Sequence, residues 1–345
     1  MNKHKKQSIK QRSIIFRADG GPSIGMGHFI RTLALAEMLN EHFYCIYATR
    51  QPSQYQISEI EKVCHGRIDL PEDDSHFEWF LNYLEGDEIV VLDNYYFSTE
   101  YQKNIKTKGC KLVCIDDIHD KHYVGDIVIN NAEGIKETDY SVESTTQLLL
   151  GYKYALLRPT FLRIANEYQI HEDRNNDPKS ALICLGGSDS HKIIQKVANA
   201  FLKNPNIDTI HIVSQIDQSK LENPFNKFIH TYWDIDEIQM AHLMRIVDLG
   251  FIPASTLSIE ACACRLPFLS GWFVDNQKEI YNSIVKNRIG IGVGNFQTIE
   301  ESDIHKSISK ILNGRNSFKI IESQQKVVDG KSDQRILNEI KKIAE

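Results

Sequence analysis

A histidine at the mouth of a glycine loop is the first residue whose setting could do chemistry. His28 follows Gly20, Gly21, Gly25 and Gly27, and Arg31 stands about one helical turn beyond it. A short apolar run, Ile14, Ile15 and Phe16, precedes the loop. From about His28 the apolar positions Ile30, Leu33, Leu35, Ala36 and Leu39 recur at helical spacing. The stretch therefore reads as strand, glycine loop, helix. Its bare backbone N–H groups and the positive helix end suit a phosphate or a sugar hydroxyl. That helix end opposes a positive charge on the ring, and Gly25 and Gly27 let a substrate come close. Both are conditions for a general base. The alternative is a histidine that only caps the helix or packs beneath it, although an exposed glycine loop is a poor place to bury a ring.

Three further constellations carry polar chemistry. Leu185–Ser190 (LGGSDS) is a second strand–turn–helix junction, in which Gly186, Gly187 and Ser188 form either a diphosphate cradle or a plain capped turn. In Pro253–Gly271, Ser255, Thr256, Leu257 and Ser258 open a helix, and their hydroxyl and N–H groups suit phosphate. Glu260, one turn in, could take both hydroxyls of a ribose, because an ionised carboxylate only accepts and a diol donates twice. The plainer reading is a helix cap with a solvated glutamate. Asn276 and Gln277 open the following helix, within reach of a sugar. Finally, Asp93-Asn94-Tyr95-Tyr96 and Asp116-Asp117-Ile118-His119-Asp120 with His122 crowd acids and histidines together. Metal ligation is disfavoured there, since hydrolytic metal sites usually draw ligands from several elements. Tyr95, beyond a strand end, is placed to bond a sugar or position water, or simply to pack.

These groups need a scaffold that brings them together. Runs such as Glu88–Asp93 (EIVVLD) and Lys111–Asp116 (KLVCID) are nearly continuous apolar strands, as in parallel sheets covered on both faces. Further strands are expected at Phe43–Thr49 and Asp126–Asn130, and helices at Gln54–Cys64, Ser75–Leu84 and Thr99–Lys106. A polar stretch from about Arg163 to Lys179 reads as a linker. The alternation then restarts, with strands at Ala181–Leu185, Thr209–Val213, Phe228–Tyr232, Asp248–Ile252 and Pro267–Ser270. Between them lie helices at His191–Leu202, Ile235–Arg245, Thr256–Cys264, Gln277–Lys286 and Asp303–Leu312. The fold class is α/β, with two Rossmann-like doubly wound domains facing across a cleft. The expected division is a tail over 1–12, an N-terminal domain over 13–162, a linker over 163–179, a second domain over 180–330 and a closing helix over 331–345. Such a cleft suits a nucleotide-linked substrate.

The 345 residues carry a net charge of −6, which argues against a nucleic-acid partner. No run approaches 18 apolar residues, so no membrane insertion is expected, and the basic start lacks the apolar core of a secretory signal. Seven scattered cysteines read as reduced core residues of a cytoplasmic protein.

Taken together, RADGGPSIGMGHFIR, VVLDNYY, CIDDIHD, DIVINNAEG, GYKYALLRPTF, ICLGGSD, PASTLSIEA and DNQ resemble one family in order over most of residues 13–290. It is the UDP-sugar hydrolase family of pseudaminic acid biosynthesis, related to the two-domain GT-B glycosyltransferases that make the peptidoglycan lipid intermediate. The resemblance implies release of UDP from UDP-2,4-diacetamido-2,4,6-trideoxy-β-L-altropyranose by water attack at the anomeric carbon, with inversion and with no metal or other cofactor. It also implies that the catalytic histidine is His28 and the cleft tyrosine Tyr95. The nucleotide-binding segments fall on Gly186–Ser188 and Ser255–Glu260. Arg31 either steadies the departing charge or pairs with Asp19, the latter favoured. Ile259 stands where an acidic or amide residue is expected beside the ribose-binding glutamate, and the chain past about residue 295 extends beyond compact members.

Overall fold

The computed structural model describes residues 12–21, 24–167, 179–186, 191–214, 216–233, 235–312 and 314–345. The first lobe runs β1 (Ser13–Ala18), α1 (Gly27–Leu39), β2 (Tyr44–Arg50), α2 (Gln54–Val63), β3 (Gly66–Leu70), α3 (Ser75–Tyr83), β4 (Ile89–Asp93), α4 (Thr99–Thr107) and β5 (Lys111–Ile115). It continues with β6 (His122–Tyr123), β7 (Ile127–Asn130), β8 (Ser141–Val142), β9 (Gln147–Leu150) and α5 (Pro159–Glu167). Seven strands form one parallel sheet in the order β3-β2-β1-β4-β5-β7-β9. Every residue of β4 is buried, the outcome expected of a parallel strand covered by helices on both faces.

The second lobe comprises β10 (Lys179–Ile183), α6 (His191–Leu202), β11 (Ile207–Val213), β12 (Phe228–Tyr232), α7 (Glu237–Ile246), β13 (Leu249–Pro253), α8 (Thr256–Ala263) and β14 (Phe268–Trp272). After these come α9 (Lys278–Asn287), β15 (Ile291–Asn295), α10 (Glu301–Ile311) and α11 (Gly314–Val327). Its parallel sheet has the order β12-β11-β10-β13-β14-β15. The last helix, α12 (Ser332–Ala344), returns to the first lobe, where Ile336 and Ile340 are buried with Phe29, Leu33 and Leu39.

Each sheet reverses its direction of winding once. In the first, the chain goes from β1 outward through β2 and β3, then crosses to β4 on the other side of β1. In the second, β10 and β13 are the corresponding neighbours. Loops leaving two such strands diverge and leave a crevice at their carboxyl ends, where doubly wound sheets bind ligands. The His28 loop and Asp93 meet at the first crevice, Gly186 and Ser255 at the second.

Several elements depart from the sequence reading. The polar stretch beginning at Arg163 does not start as a linker, because α5 continues through Glu167. There Phe161, Leu162, Ile164 and Ala165 bury one face, so local polarity hid an amphipathic helix. Beyond it, residues 168–178 of that stretch lie outside the described residues. Strands β3, β6, β8, β9 and β15 and helix α11 were not anticipated; β3 (GRIDL) and β15 (IGVGN) carry glycines and too few apolar residues to stand out.

Candidate active site

Residue Ala18 of β1 lies in register beside Asp93 of β4. The loop after β1 closes on itself through paired hydrogen bonds between Gly21 and Gly25 (3.2 and 2.7 Å). Gly25 has φ +83°, a conformation that a side chain would strain, and a Cβ there would meet only open space. The chain then enters α1, and His28 on its first turn points at the carboxylate ending β4. Its Nδ1 is 2.7 Å from Asp93 Oδ1.

Asp93 is fully buried and receives four donors. Besides His28, Arg31 donates from Nε (2.6 Å) and Nη2 (2.6 Å), and Thr32 Oγ1 donates at 2.9 Å. Burial by itself would raise this carboxyl, but the charge of Arg31 and the contact with His28 outweigh it and hold it at about 2. The carboxylate is therefore ionised. An unprotonated Nδ1 would set two lone pairs face to face at 2.7 Å, so the neutral ring carries its proton on Nδ1. Arg31 Nη2, 3.0 Å from the same nitrogen, already donates to Asp93. The ring is buried, 4% exposed, which corrects the expectation that the glycine loop would keep it from burial: Asp93, Arg31 and Tyr95 pack against it. No partner is found for Nε2 among the described residues. That arrangement, an acid fixing the tautomer and an open second nitrogen, is what a proton acceptor needs.

Arg31 does not pair with Asp19, as the sequence reading favoured. It bridges Asp93 and Asp117 (Nη1 to Oδ2, 2.8 Å), and its charge is spent on these two carboxylates. Asp19 is instead taken by Arg17 (2.5 Å), Arg50 (2.6 Å) and the Tyr96 hydroxyl (2.6 Å). The reason is direction. Side chains one turn into α1 face the end of β4, whereas Asp19 turns toward β2 and the aromatic ring of Tyr96. Tyr95 is half-exposed, with its ring edge-on to His28 at 4.7 Å and its hydroxyl donating to Asp117 Oδ2 at 3.0 Å. His28, Arg31, Tyr95, Asp93 and Asp117 thus form one connected group.

In the second lobe, Gly186 leaves β10 with φ +65°. Gly187 and Ser188 lie outside the described residues. Ser255 caps α8 by accepting the Leu257 N–H (3.3 Å), and Ser255, Thr256 and Leu257 are half-buried. Ser258 is a correction: rather than offering its hydroxyl outward it is buried and donates to the Ser255 carbonyl at 2.6 Å. Glu260 is no solvated residue either. It is buried, its Oε1 accepts from Arg158 Nε at 2.8 Å, and burial pushes its carboxyl up despite that arginine. Gln277 Oε1 accepts the Phe273 N–H (2.8 Å) and so holds its own turn. The backbone of Asn276 sits in the turn Asp275–Gln277; its side chain lies outside the described residues. Besides Arg158–Glu260, the lobes meet at Tyr152–Ser283 (2.8 Å between hydroxyls) and at His119–Glu279 (3.7 Å).

All seven cysteines are free, and six are buried. Burial pushes the thiols of Cys45 and Cys110 up to about 12, so neither is a nucleophile near neutrality. No described helix is long and apolar enough to cross a membrane.

Asp93 and Asp117 stood out in the sequence as members of crowded acidic clusters but were given no individual role. An ionisable residue closing an otherwise apolar strand, as in EIVVLD, was the available signal for Asp93. For Asp117 the sequence held none, because its role depends on a turn described below.

Among known proteins, the two-lobed architecture matches MurG of Acinetobacter baumannii with a TM-score of 0.68 at 12% identity, over 96% of this chain and 99% of that one. Fold and strand-end crevices together define a GT-B-type protein of two Rossmann-like lobes. In sequence, the chain is similar to the UDP-2,4-diacetamido-2,4,6-trideoxy-beta-L-altropyranose hydrolase of Campylobacter jejuni, 26% identical over 277 residues, covering 79% of this chain and 96% of the hydrolase. It is also similar to the spore coat polysaccharide biosynthesis protein SpsG of Bacillus subtilis, at 25% over 337 residues, 92% and 95% of the two chains. An uncharacterized protein of Methanocaldococcus jannaschii is 26% identical over 323 residues, and there the match spans 88% of this chain but only 64% of that longer protein. No family model matches the chain.

Proposed function

We propose that the chain is a UDP-sugar-processing enzyme of glycan biosynthesis that hydrolyses a UDP-linked 2,4-diacetamido-2,4,6-trideoxyhexose. The observation that carries the reading is the His28–Asp93 contact, with no partner for His28 Nε2 among the described residues. The name of the Campylobacter relative supports the substrate class, and that of the Bacillus relative supports a place in polysaccharide biosynthesis.

In this reading the second lobe holds UDP at the segment Gly186–Ser188 and the Ser255–Glu260 helix start, and the segment Asn276–Gln277 supplies a contact to the sugar. The diphosphate leaves readily, so the demanding part is delivering water to an oxocarbenium-like centre. His28 Nε2 takes a proton from that water as its oxygen bonds to the anomeric carbon. The bond from that carbon to the β-phosphate oxygen breaks, UDP departs with the electron pair, and the free sugar forms with inversion. Asp93 steadies the ring throughout, and Tyr95 borders the path of the water. General-base assistance of this kind is worth about 10²–10⁴-fold.

The test is His28→Ala. UDP affinity, read by calorimetry, should be unchanged while UDP release from the diacetamido sugar falls by about 10²-fold or more. A wild-type rate in this variant defeats the assignment. The fold match to MurG favours one other reading, sugar transfer to an acceptor. UDP release that requires an added acceptor would establish that alternative.

A further inference from the structure

The turn after β5 is built around one buried carboxylate. Asp116 accepts the backbone N–H groups of Ile118 (3.2 Å) and His119 (2.8 Å), and the hydroxyls of Tyr123 (2.5 Å) and Tyr140 (2.7 Å) hold it from behind. So clamped, the backbone at His119 adopts φ +39°, a conformation that non-glycine residues keep only when their surroundings impose it. The result is a rigid corner. It aims Asp117 at the His28 group and His119 across to α9 of the other lobe, where Nε2 is 3.7 Å from Glu279 Oε1.

Each of these three side chains keeps one buried polar atom without a hydrogen bond among the described residues: Asp117 Oδ1, His119 Nδ1 and Glu279 Oε2. Buried polar atoms are nearly always satisfied, so three on facing lobes point to something that comes between. A single cation does not fit. Among the described residues, the only such trio with ligand atoms all within 4.8 Å is Glu85, Asp87 and Glu88, elsewhere in the first lobe. A pyrophosphate fits no better, since Glu279 faces the negative charges of Asp116 and Asp117. What remains is an uncharged group with several donors, spread over more than one ion's width.

We propose that Asp117, His119 and Glu279 form a two-lobed subsite for the glycosyl part of the substrate, the carboxylates accepting its amide N–H or hydroxyl donors. The inference rests on the nucleotide-sugar reading above and adds the residues that recognise the sugar's substituents. Because Glu279 belongs to the lobe opposite His28, the sugar is held from both lobes at once. Asp117 has a second effect: with one oxygen on the sugar and the other holding Tyr95 and Arg31, it ties substrate recognition to the catalytic group.

Glu279→Gln tests this with little risk to folding, since Glu279 is partly exposed and its contact among the described residues is the 3.7 Å approach of His119. The expected result is a KM for the UDP-diacetamido-trideoxyhexose raised about tenfold, the loss of one charge-assisted hydrogen bond. The Kd for UDP should be unchanged, and the preference over UDP-N-acetylglucosamine reduced. The same ratio of UDP-sugar to UDP affinity can be read by calorimetry without turnover. A KM within twofold of wild type, or a UDP affinity that falls in step with it, overturns the proposal. So does saturable binding of magnesium or manganese that the variant loses. If the wild-type protein neither binds nor hydrolyses any UDP-sugar, the functional reading itself fails, a result separable from the behaviour of the variant.

Discussion

Replacing Asp93 by asparagine keeps the shape of the side chain and removes its charge. Two of its four donors, Arg31 Nε and Thr32 Oγ1, converge on Oδ2, and the other two, His28 Nδ1 and Arg31 Nη2, on Oδ1. An amide can serve one of these pairs. Its NH₂ group then meets donors on the other side, and the buried Arg31 keeps only Asp117 as a counter-charge. Breaking a buried ion pair from one side costs about 3–5 kcal/mol, the lower end applying here because Asp117 remains. For a lobe of this size, about 3 kcal/mol corresponds to a melting midpoint lower by roughly 6–12 °C. The pH dependence has a defined sign. A carboxyl that drops from 3.8 to about 2 on folding contributes stability that is complete above pH 4 and is lost as the pH falls toward 2. That acid limb is worth about 2 kcal/mol in the wild-type protein and should be absent from Asp93→Asn. On activity, a ring free to take the wrong tautomer should lower UDP release by about 10²–10⁴-fold with UDP affinity intact. Thermal melts at pH 7 and 3, with a UDP-release assay, decide the matter. A midpoint within about 2 °C of wild type together with kcat within threefold would refute the role given to Asp93.

Two further outcomes concern groups outside the reacting centre. His76 is buried and accepts from Arg17 Nη2 (3.2 Å); burial and the charges of Arg17 and Arg50 lower it to about 4. Its stabilisation is complete above pH 6.5 and declines as the pH falls toward 4, so denaturant midpoints should fall between pH 7 and 5, with a flatter slope in His76→Gln. Glu37, on α1 beside the lobe junction, is pushed up to about 7 by burial and by Glu237 and Glu59. The wild-type protein should therefore lose stability as the pH rises from 4.5 through 7, and Glu37→Gln should be roughly 2 kcal/mol more stable at pH 8 in a urea titration. Equal midpoints at pH 8 would contradict that.

The parallel sheets were legible because their strands are apolar without alternation. EIVVLD and KLVCID could hardly be anything else, and the glycine turns after β1 and β10 marked where each winding reverses. Phe228–Tyr232 was placed to the residue, and His191–Leu202 likewise. Failures had physical causes. Helix α5 was missed because its exposed face is as polar as a linker, and β15 hid behind two glycines that serve close packing on Tyr281 and open backbone geometry. At the site, His28 and Tyr95 could be proposed from loop chemistry, which is local. The pairing of Arg31 with Asp93 could not, because residues 62 apart in sequence meet only through the register of β1 on β4. The burial of Ser258 and the Arg158–Glu260 pair escaped the sequence for the same reason: which side of α8 faces inward depends on α5, a partner the local pattern does not reveal.

One feature of the architecture bears on how the molecule comes into being. Helix α12 seals the first lobe from the far end of the sequence: Ser332 Oγ donates to the Ala155 carbonyl (2.7 Å), and Gln147 Nε2 donates to Glu339 (2.8 Å). The half that starts emerging first from the ribosome is thus the half that finishes last, waiting with the groove for α12 unfilled while the other lobe is synthesised. Separating the lobes by a single cut would leave that apolar groove bare. An isolated first lobe would therefore need residues 332–344 restored by fusion or supplied as a peptide.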